Sequence, residues 1–217
     1  MTTIGCFHAH YSNIALIEQV LEPLQVELVH FVDPGMDRVK NDFTPQAATV
    51  KMKETLHWIS QCHVDAILVT CTYFTARLPD AIPSFSLPII KIDQPLFDDI
   101  CMLTGPVIVA FTNPSTVDGT IGQLQAHSEL RGKNVHVTPA LLPDTFPLLM
   151  QGKKEAYTQK TAQGLRRLIE ENPDKHIVAG QLSMAPAAEL AAQQSGITIG
   201  NQLHSLTAHI QMLLDMK

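Results

Sequence analysis

No apolar run in this 217-residue chain approaches the roughly eighteen residues that would cross a bilayer. A membrane-spanning reading is therefore excluded. Basic residues are also sparse: no Lys/Arg cluster is longer than Lys153-Lys154 or Arg166-Arg167, and the formal charge is −6. Such a surface has no electrostatic footprint for nucleic acid. The four cysteines, Cys6, Cys62, Cys71 and Cys101, show no C-x-x-C spacing and no His-rich zinc pattern. They are expected to be free thiols in a reducing compartment, with Cys6, Cys62 and Cys101 as small structural groups. The first residues lack a basic n-region and reach polar side chains too soon for a signal peptide. The expectation is a soluble, cytoplasmic protein. No Pro/Gly/Ser-rich linker interrupts the chain, so any lobes should pack closely.

Hydrophobic residues make up 45% of the chain, enough for a substantial core. Strand-like runs alternate with helical patterns, the signature of β-α-β units and a parallel α/β sheet. Strands are predicted at 3–7, 27–32, 66–70, 89–92, 107–111, 135–138, 177–179 and 197–200. Thr44-Pro45 and Asn113-Pro114 each offer an N-cap followed by proline at the first helical position. Leu203, Leu206, Ile210, Leu213 and Leu214 line one face of a final amphipathic helix. The strands divide four and four around Gln94, which predicts two similar lobes, each with a four-stranded parallel sheet flanked by helices. The expected division is 1–93, with the helix 202–217 packing back on it, and 94–201. A site is expected in the cleft between them.

Two strand ends carry the chemistry. The run ending Leu68-Val69-Thr70 stops at Cys71-Thr72-Tyr73-Phe74-Thr75, and the run Ile177-Val178-Ala179-Gly180 stops at Gln181-Leu182-Ser183-Met184. Ligands in open α/β sheets bind outside the carboxyl ends of such strands. A thiol there is a candidate nucleophile or proton donor, and its pKa falls where a helix N-terminus points at it. Hydroxyls and amides suit a carboxylate ligand and a planar enediolate: Thr72, Ser115, Thr116 and Ser183 supply the first, Asn113 and Gln181 the second. Ser115, Thr116 and Ser183 are equally suited to capping helices.

The stretches Val69-Thr70-Cys71-Thr72, Ala110-Phe111-Thr112-Asn113-Pro114-Ser115-Thr116-Val117 and Ala179-Gly180-Gln181-Leu182-Ser183-Met184 together resemble the aspartate/glutamate/hydantoin racemase superfamily. The likeness covers almost the whole length. It implies two α/β lobes enclosing a small carboxylate between two strand-end thiols, without a cofactor and with no metal, and is compatible with a homodimer. It also implies that the loop after the first strand contacts substrate, which makes His8, His10 and Ser12 candidates. The departure is Gln181, where family racemases have cysteine. Racemisation by two bases needs a proton acceptor on one face and a donor on the other, and an amide is neither. The resemblance therefore implies single-thiol isomerase chemistry at Cys71, with Gln181 in the second catalytic position. The alternatives are a single-thiol decarboxylase of a malonate-type acid and a non-catalytic carboxylate-binding protein.

A metal reading competes at the first strand. His8 and His10, two apart on a strand, would project to one face, and His30, Asp33 and Asp93 lie in or at the ends of other strands. Amidohydrolase barrels use that spacing, but such barrels typically need about 250 residues. His204, just beyond the last predicted strand, is a further candidate for the site.

Overall fold

The computed structural model describes residues 1–38, 42–75, 78 and 85–215. The chain divides into two compact units, Met1–Gln94 with Leu206–Lys217, and Pro95–Ser205.

The first unit is built on a four-stranded parallel sheet of β1 (Thr3–His8), β2 (Glu27–Val32), β3 (Ala66–Val69) and β4 (Ile89–Lys91), in the order β2-β1-β3-β4. Helices α1 (Ile14–Leu21), α2 (Pro34–Arg38), α3 (Pro45–Ser60) and α4 (Thr72–Thr75) lie between the strands. Thr44 caps α3 by accepting from the Ala47 amide at 3.2 Å, as the Thr-Pro signal predicts. Burial of β1 and β3 on both faces is what a parallel sheet covered by helices demands. On one face Phe7, Ile67 and Val69 pack with Met52, Leu56 and Ile59 of α3.

The second unit begins with α5 (Gln94–Met102) and carries β5 (Val107–Phe111), β6 (Val137–Leu141) and β7 (His176–Ala179) in the parallel order β6-β5-β7. Its further helices are α6 (Val117–Leu130), α7 (Phe146–Met150), α8 (Lys154–Glu171), α9 (Ala185–Ser195) and α10 (Gln202–Asp215), the last continuing into the first unit. Tyr157, Ala162, Leu165 and Ile169 of α8 pack with Ile108, Ile177 and the alanines of α9.

Two expectations are corrected. The eighth strand, predicted at 197–200, is reduced to one bridge between Gly200 and Val178, so the second sheet has three strands and not four. The next residue, Asn201, already caps α10, its Oδ1 accepting from the amides of Leu203 and His204 at 3.1 Å each. The sixth strand lies at Val137–Leu141 rather than 135–138, and it runs through Pro139. β6 is an edge strand, where a missing N–H on the outer side costs no ladder bond.

The two sheets share one arrangement: β2-β1-β3 and β6-β5-β7 have the same order and direction. Register fixes the correspondence. Phe7 faces Val69 at the end of β3 as Ala110 faces Ala179 at the end of β7. The hydrogen bonds just past these ends match as well, Thr70 N to Phe7 O at 3.0 Å and Gly180 N to Ala110 O at 2.8 Å.

Candidate active site

In the first unit Cys71 lies half-buried two residues beyond β3, and its carbonyl accepts from the amides of Phe74 and Thr75 at 2.9 Å each. It thus directly precedes α4 (Thr72–Thr75), at the N-terminal end of that helix. Beneath it, Asp93 is buried just past β4 and accepts from Thr72 Oγ1 at 3.2 Å and Thr75 Oγ1 at 3.0 Å. Two hydroxyls on one carboxylate tie the Cys71 turn to the neighbouring strand end. Thr72, expected to face a ligand, spends its proton on this anchor.

The loop after β1 holds His10 and Ser12. His10 is exposed and caps the 3-10 turn Tyr11–Asn13, its Nδ1 accepting from Ser12 N at 3.2 Å and lying 2.8 Å from Ser12 Oγ. His8 behaves differently: its side chain is 0% exposed, with Nδ1 at 2.9 Å from Thr70 Oγ1 and Nε2 at 2.9 Å from His30 Nδ1. Thr70 Oγ1 donates to Phe7 O at 3.2 Å, so His8 Nδ1 must be the donor to Thr70. Both ring nitrogens are thereby engaged, and His8 offers no group for a substrate. Burial, with His30 adding to it, pushes His8 down to about 4, so it is neutral near pH 7. Burial also lowers His30, against the pull of Glu18.

The second unit reproduces the loop with other residues. Asn113 stands where His10 stands and caps the 3-10 turn Pro114–Thr116, its Oδ1 accepting from Ser115 N at 3.0 Å and Ser115 Oγ at 2.8 Å. Thr116 Oγ1 donates to the Asn113 carbonyl at 2.9 Å. Ser115 and Thr116 therefore serve the cap, and Asn113 keeps its Nδ2 end for other partners.

Gln181 lies two residues beyond β7, the place Cys71 holds in the first unit. Its Oε1 accepts from Thr112 N at 2.6 Å, Thr112 Oγ1 at 2.9 Å and Asn113 N at 3.0 Å. Backbone amides only donate, so the oxygen end of Gln181 must face them, and the Nε2 end is left as a fixed pair of N–H donors. Gly180 makes this close approach feasible. A Cβ there would sit 2.8 Å from Phe111 Cε1 and Val109 Cγ1 and 3.0 Å from the Ala110 carbonyl.

Sequence reasoning missed Tyr157. Its buried hydroxyl lies 3.1 Å from Thr112 Oγ1 and 3.0 Å from Ser183 Oγ, bridging the turns after β5 and β7. Because Thr112 donates to Gln181, the phenol donates to Thr112 and Ser183 donates to the phenol. Burial raises the Tyr157 pKa, which keeps that donor protonated. On α8 the residue occupies a core-facing position, so its sequence signal is only that of a core aromatic.

The remaining candidates fall elsewhere. Asp33 Oδ1 accepts from the amides of Gly35 and Met36 at the start of α2, and His204 is exposed in the first turn of α10. His10 does not join His8: the cluster of three metal-ligating side chains among the described residues is Cys6, His8 and His30. The barrel-type histidine pair is thus corrected, because β1 ends at His8 and the chain turns before His10. Among the described residues no helix is long and apolar enough to cross a membrane.

No family model matches the chain, and no curated protein matches its sequence. Solved structures do match in fold. A glutamate racemase from Bacillus anthracis superposes with a TM-score of 0.72 at 16% identity, over 99% of this chain and 82% of that one. An aspartate racemase from Picrophilus torridus gives 0.68 at 10% identity, over 96% and 92%. An allantoin racemase from Klebsiella pneumoniae gives 0.69 at 12% identity, over 100% and 89%. The chain has the two-lobed α/β fold of the glutamate, aspartate and allantoin racemases.

Proposed function

We propose that the protein is a cofactor-independent, racemase-like isomerase of a small carboxylate, of the amino-acid or dicarboxylate type, with Cys71 as its single catalytic thiol. The similarity in fold to three kinds of racemase supports the class. The observation that carries the single-thiol reading is the orientation of Gln181. Its oxygen is consumed by Thr112 and Asn113, so it presents N–H groups where a second base would be required.

In this reading Cys71, as thiolate, takes the α-proton or adds to the substrate, while the Nε2 of Gln181 and the Nδ2 of Asn113 donate to the carboxylate. Donors of this kind stabilise the enediolate more than the ground state, by a few kcal/mol each in favourable cases. His10 and Ser12 contribute at the loop after β1, and Ser183 supports Tyr157 at the turn after β7. Asp93 and Tyr157 hold the two turns in place without touching substrate. In one-base proton transfer the same thiol returns the proton after the planar intermediate turns; in the addition route the thiolate adds to a double bond, the resulting single bond rotates, and the thiolate is expelled again. Loss of carbon dioxide from a malonate-type acid is the second reading, because it asks the thiol only to deliver a proton to the same enediolate.

The test is turnover of small carboxylates by the wild-type chain and by Cys71→Ser. Activity that survives the substitution ends the proposal.

A further inference from the structure

We propose that Cys6, His8 and His30 form a binding site for a borderline-soft divalent cation, zinc by the chemistry of its ligands, which fastens the edge strand β2 to β1. The site is independent of the reaction assigned above.

The three side chains meet because of strand geometry. Cys6 and His8 are two apart on β1 and so share a face, and His30 lies opposite Cys6 in the parallel register of β1 and β2. One ligand atom from each falls within 4.8 Å of the others. Thiolate and imidazole are the donor set that zinc prefers.

The outer contacts of the two imidazoles point to the same conclusion. His8 donates its Nδ1 proton to Thr70 Oγ1, which leaves Nε2 bare toward the cluster. His30 turns Nε2 toward the Glu18 carboxylate at 3.6 Å and Nδ1 toward the cluster. A ligating histidine that gives its other N–H to a hydroxyl or carboxylate is the usual outer arrangement of a metal centre. With a proton on His30 Nε2, two bare nitrogens face each other at 2.9 Å, and a cation between them removes the conflict. Without a cation the proton must sit on Nδ1, and then Nε2 of His30 is a buried nitrogen with no hydrogen-bond partner among the described residues. Such atoms are rare in native proteins and call for an explanation.

The second unit shows that the fold does not need this cluster. By register, the positions of Cys6, His8 and His30 correspond to Val109, Phe111 and Pro139. Val109 and Phe111 belong to a core cluster there, while Pro139 is exposed on the edge strand. Two imidazoles, His8 and His30, replace apolar residues in the equivalent place, and burying their ring nitrogens costs desolvation.

Binding balances as follows. The cation accepts lone pairs from Cys6 Sγ, His8 Nε2 and His30 Nδ1. Cys6 releases its proton to solvent, and the His30 proton moves from Nδ1 to Nε2, where it faces Glu18. One proton leaves for each ion bound.

The experiment uses the full, reduced chain, stripped with chelator and titrated with Co²⁺ as a spectroscopic substitute, followed by displacement with Zn²⁺. The expected result is one Co²⁺ per chain, with a thiolate-to-cobalt charge-transfer band that Cys6→Ser abolishes and Cys71→Ser, Cys62→Ser and Cys101→Ser retain. Glu18→Gln should weaken binding by about 10- to 100-fold. Melting curves without metal establish whether Cys6→Ser folds. If it does not, the exposed Glu18 decides, and an unchanged affinity in Glu18→Gln overturns the assignment. Absence of saturable one-to-one binding, or a charge-transfer band that disappears with Cys71 and not Cys6, overturns it as well.

Discussion

Cys71 and Gln181 occupy the same place in two copies of one strand arrangement, each the second residue beyond a strand end whose neighbour, Phe7 or Ala110, sits directly across the ladder. One copy carries a thiol and the other an amide whose oxygen is locked by Thr112 and Asn113. The two copies therefore offer different chemistry at this place, a thiol in one and N–H donors in the other.

Gln181→Glu retains the acceptor for the Thr112 and Asn113 amides but exchanges the N–H donors for a negative charge. The fold should hold, while KM for a carboxylate rises by about 10- to 100-fold, the loss of one charge-assisted hydrogen bond. Gln181→Met removes the acceptor too, and urea denaturation should show a cost of about 1–3 kcal/mol for the stranded amides. An unchanged KM in Gln181→Glu would remove Gln181 from the ligand site.

Tyr157→Phe deletes the hydroxyl between Thr112 and Ser183 while leaving the ring in the core. Unfolding by urea should register about 1–2 kcal/mol of lost stability, somewhat above an average hydrogen bond because the hydroxyl serves two partners. Since the phenol acts on the position of Thr112, kcat should fall more than KM changes.

Gly180→Ala places a methyl group 2.8 Å from Phe111 and Val109, and these are ring and β-branched atoms in a packed core. Overpacking of that kind costs about 1–3 kcal/mol. A thermal melt should show the drop, and a Tm equal to wild type would mean that the end of β7 stands further from β5 than described.

Chelator and iodoacetamide should act on different properties. Removal of the ion from Cys6, His8 and His30 should lower the melting temperature and leave turnover intact, since no step of the reaction passes through it. Iodoacetamide should abolish turnover by alkylating the half-buried Cys71 before the fully buried Cys6. Turnover lost to chelator and spared by iodoacetamide would reverse the assignment of the chemistry.

Most of the fold was legible because a parallel sheet writes itself as short apolar runs between helical patterns, and β1, β2, β3 and β5 fall within a residue or two of their predicted bounds. The eighth strand failed because Ile197-Thr198-Ile199 has strand character while Asn201 caps a helix one residue after the bridge. β6 was misplaced because Pro139 reads as a strand stop unless the strand is known to be an edge. Cys71, Asn113 and Gln181 were singled out because strand ends are visible in sequence. The acceptor role of the Gln181 oxygen was not, because it depends on backbone amides of Thr112 and Asn113 far away in sequence. His30 was weighed with His8 and His10 only for lying in a strand, and its place opposite Cys6 was not visible, because the register of β2 against β1 is encoded by no spacing.

The most direct measurement is proton NMR in D₂O of amino acids, hydantoins, maleate and substituted malonates, incubated with the wild-type chain and with Cys71→Ser in parallel. The account predicts loss of an α-proton signal, or a shifted vinyl resonance, with the wild type and an unchanged spectrum with Cys71→Ser at equal folded concentration. The same spectral change appearing with Cys71→Ser would contradict the single-thiol mechanism.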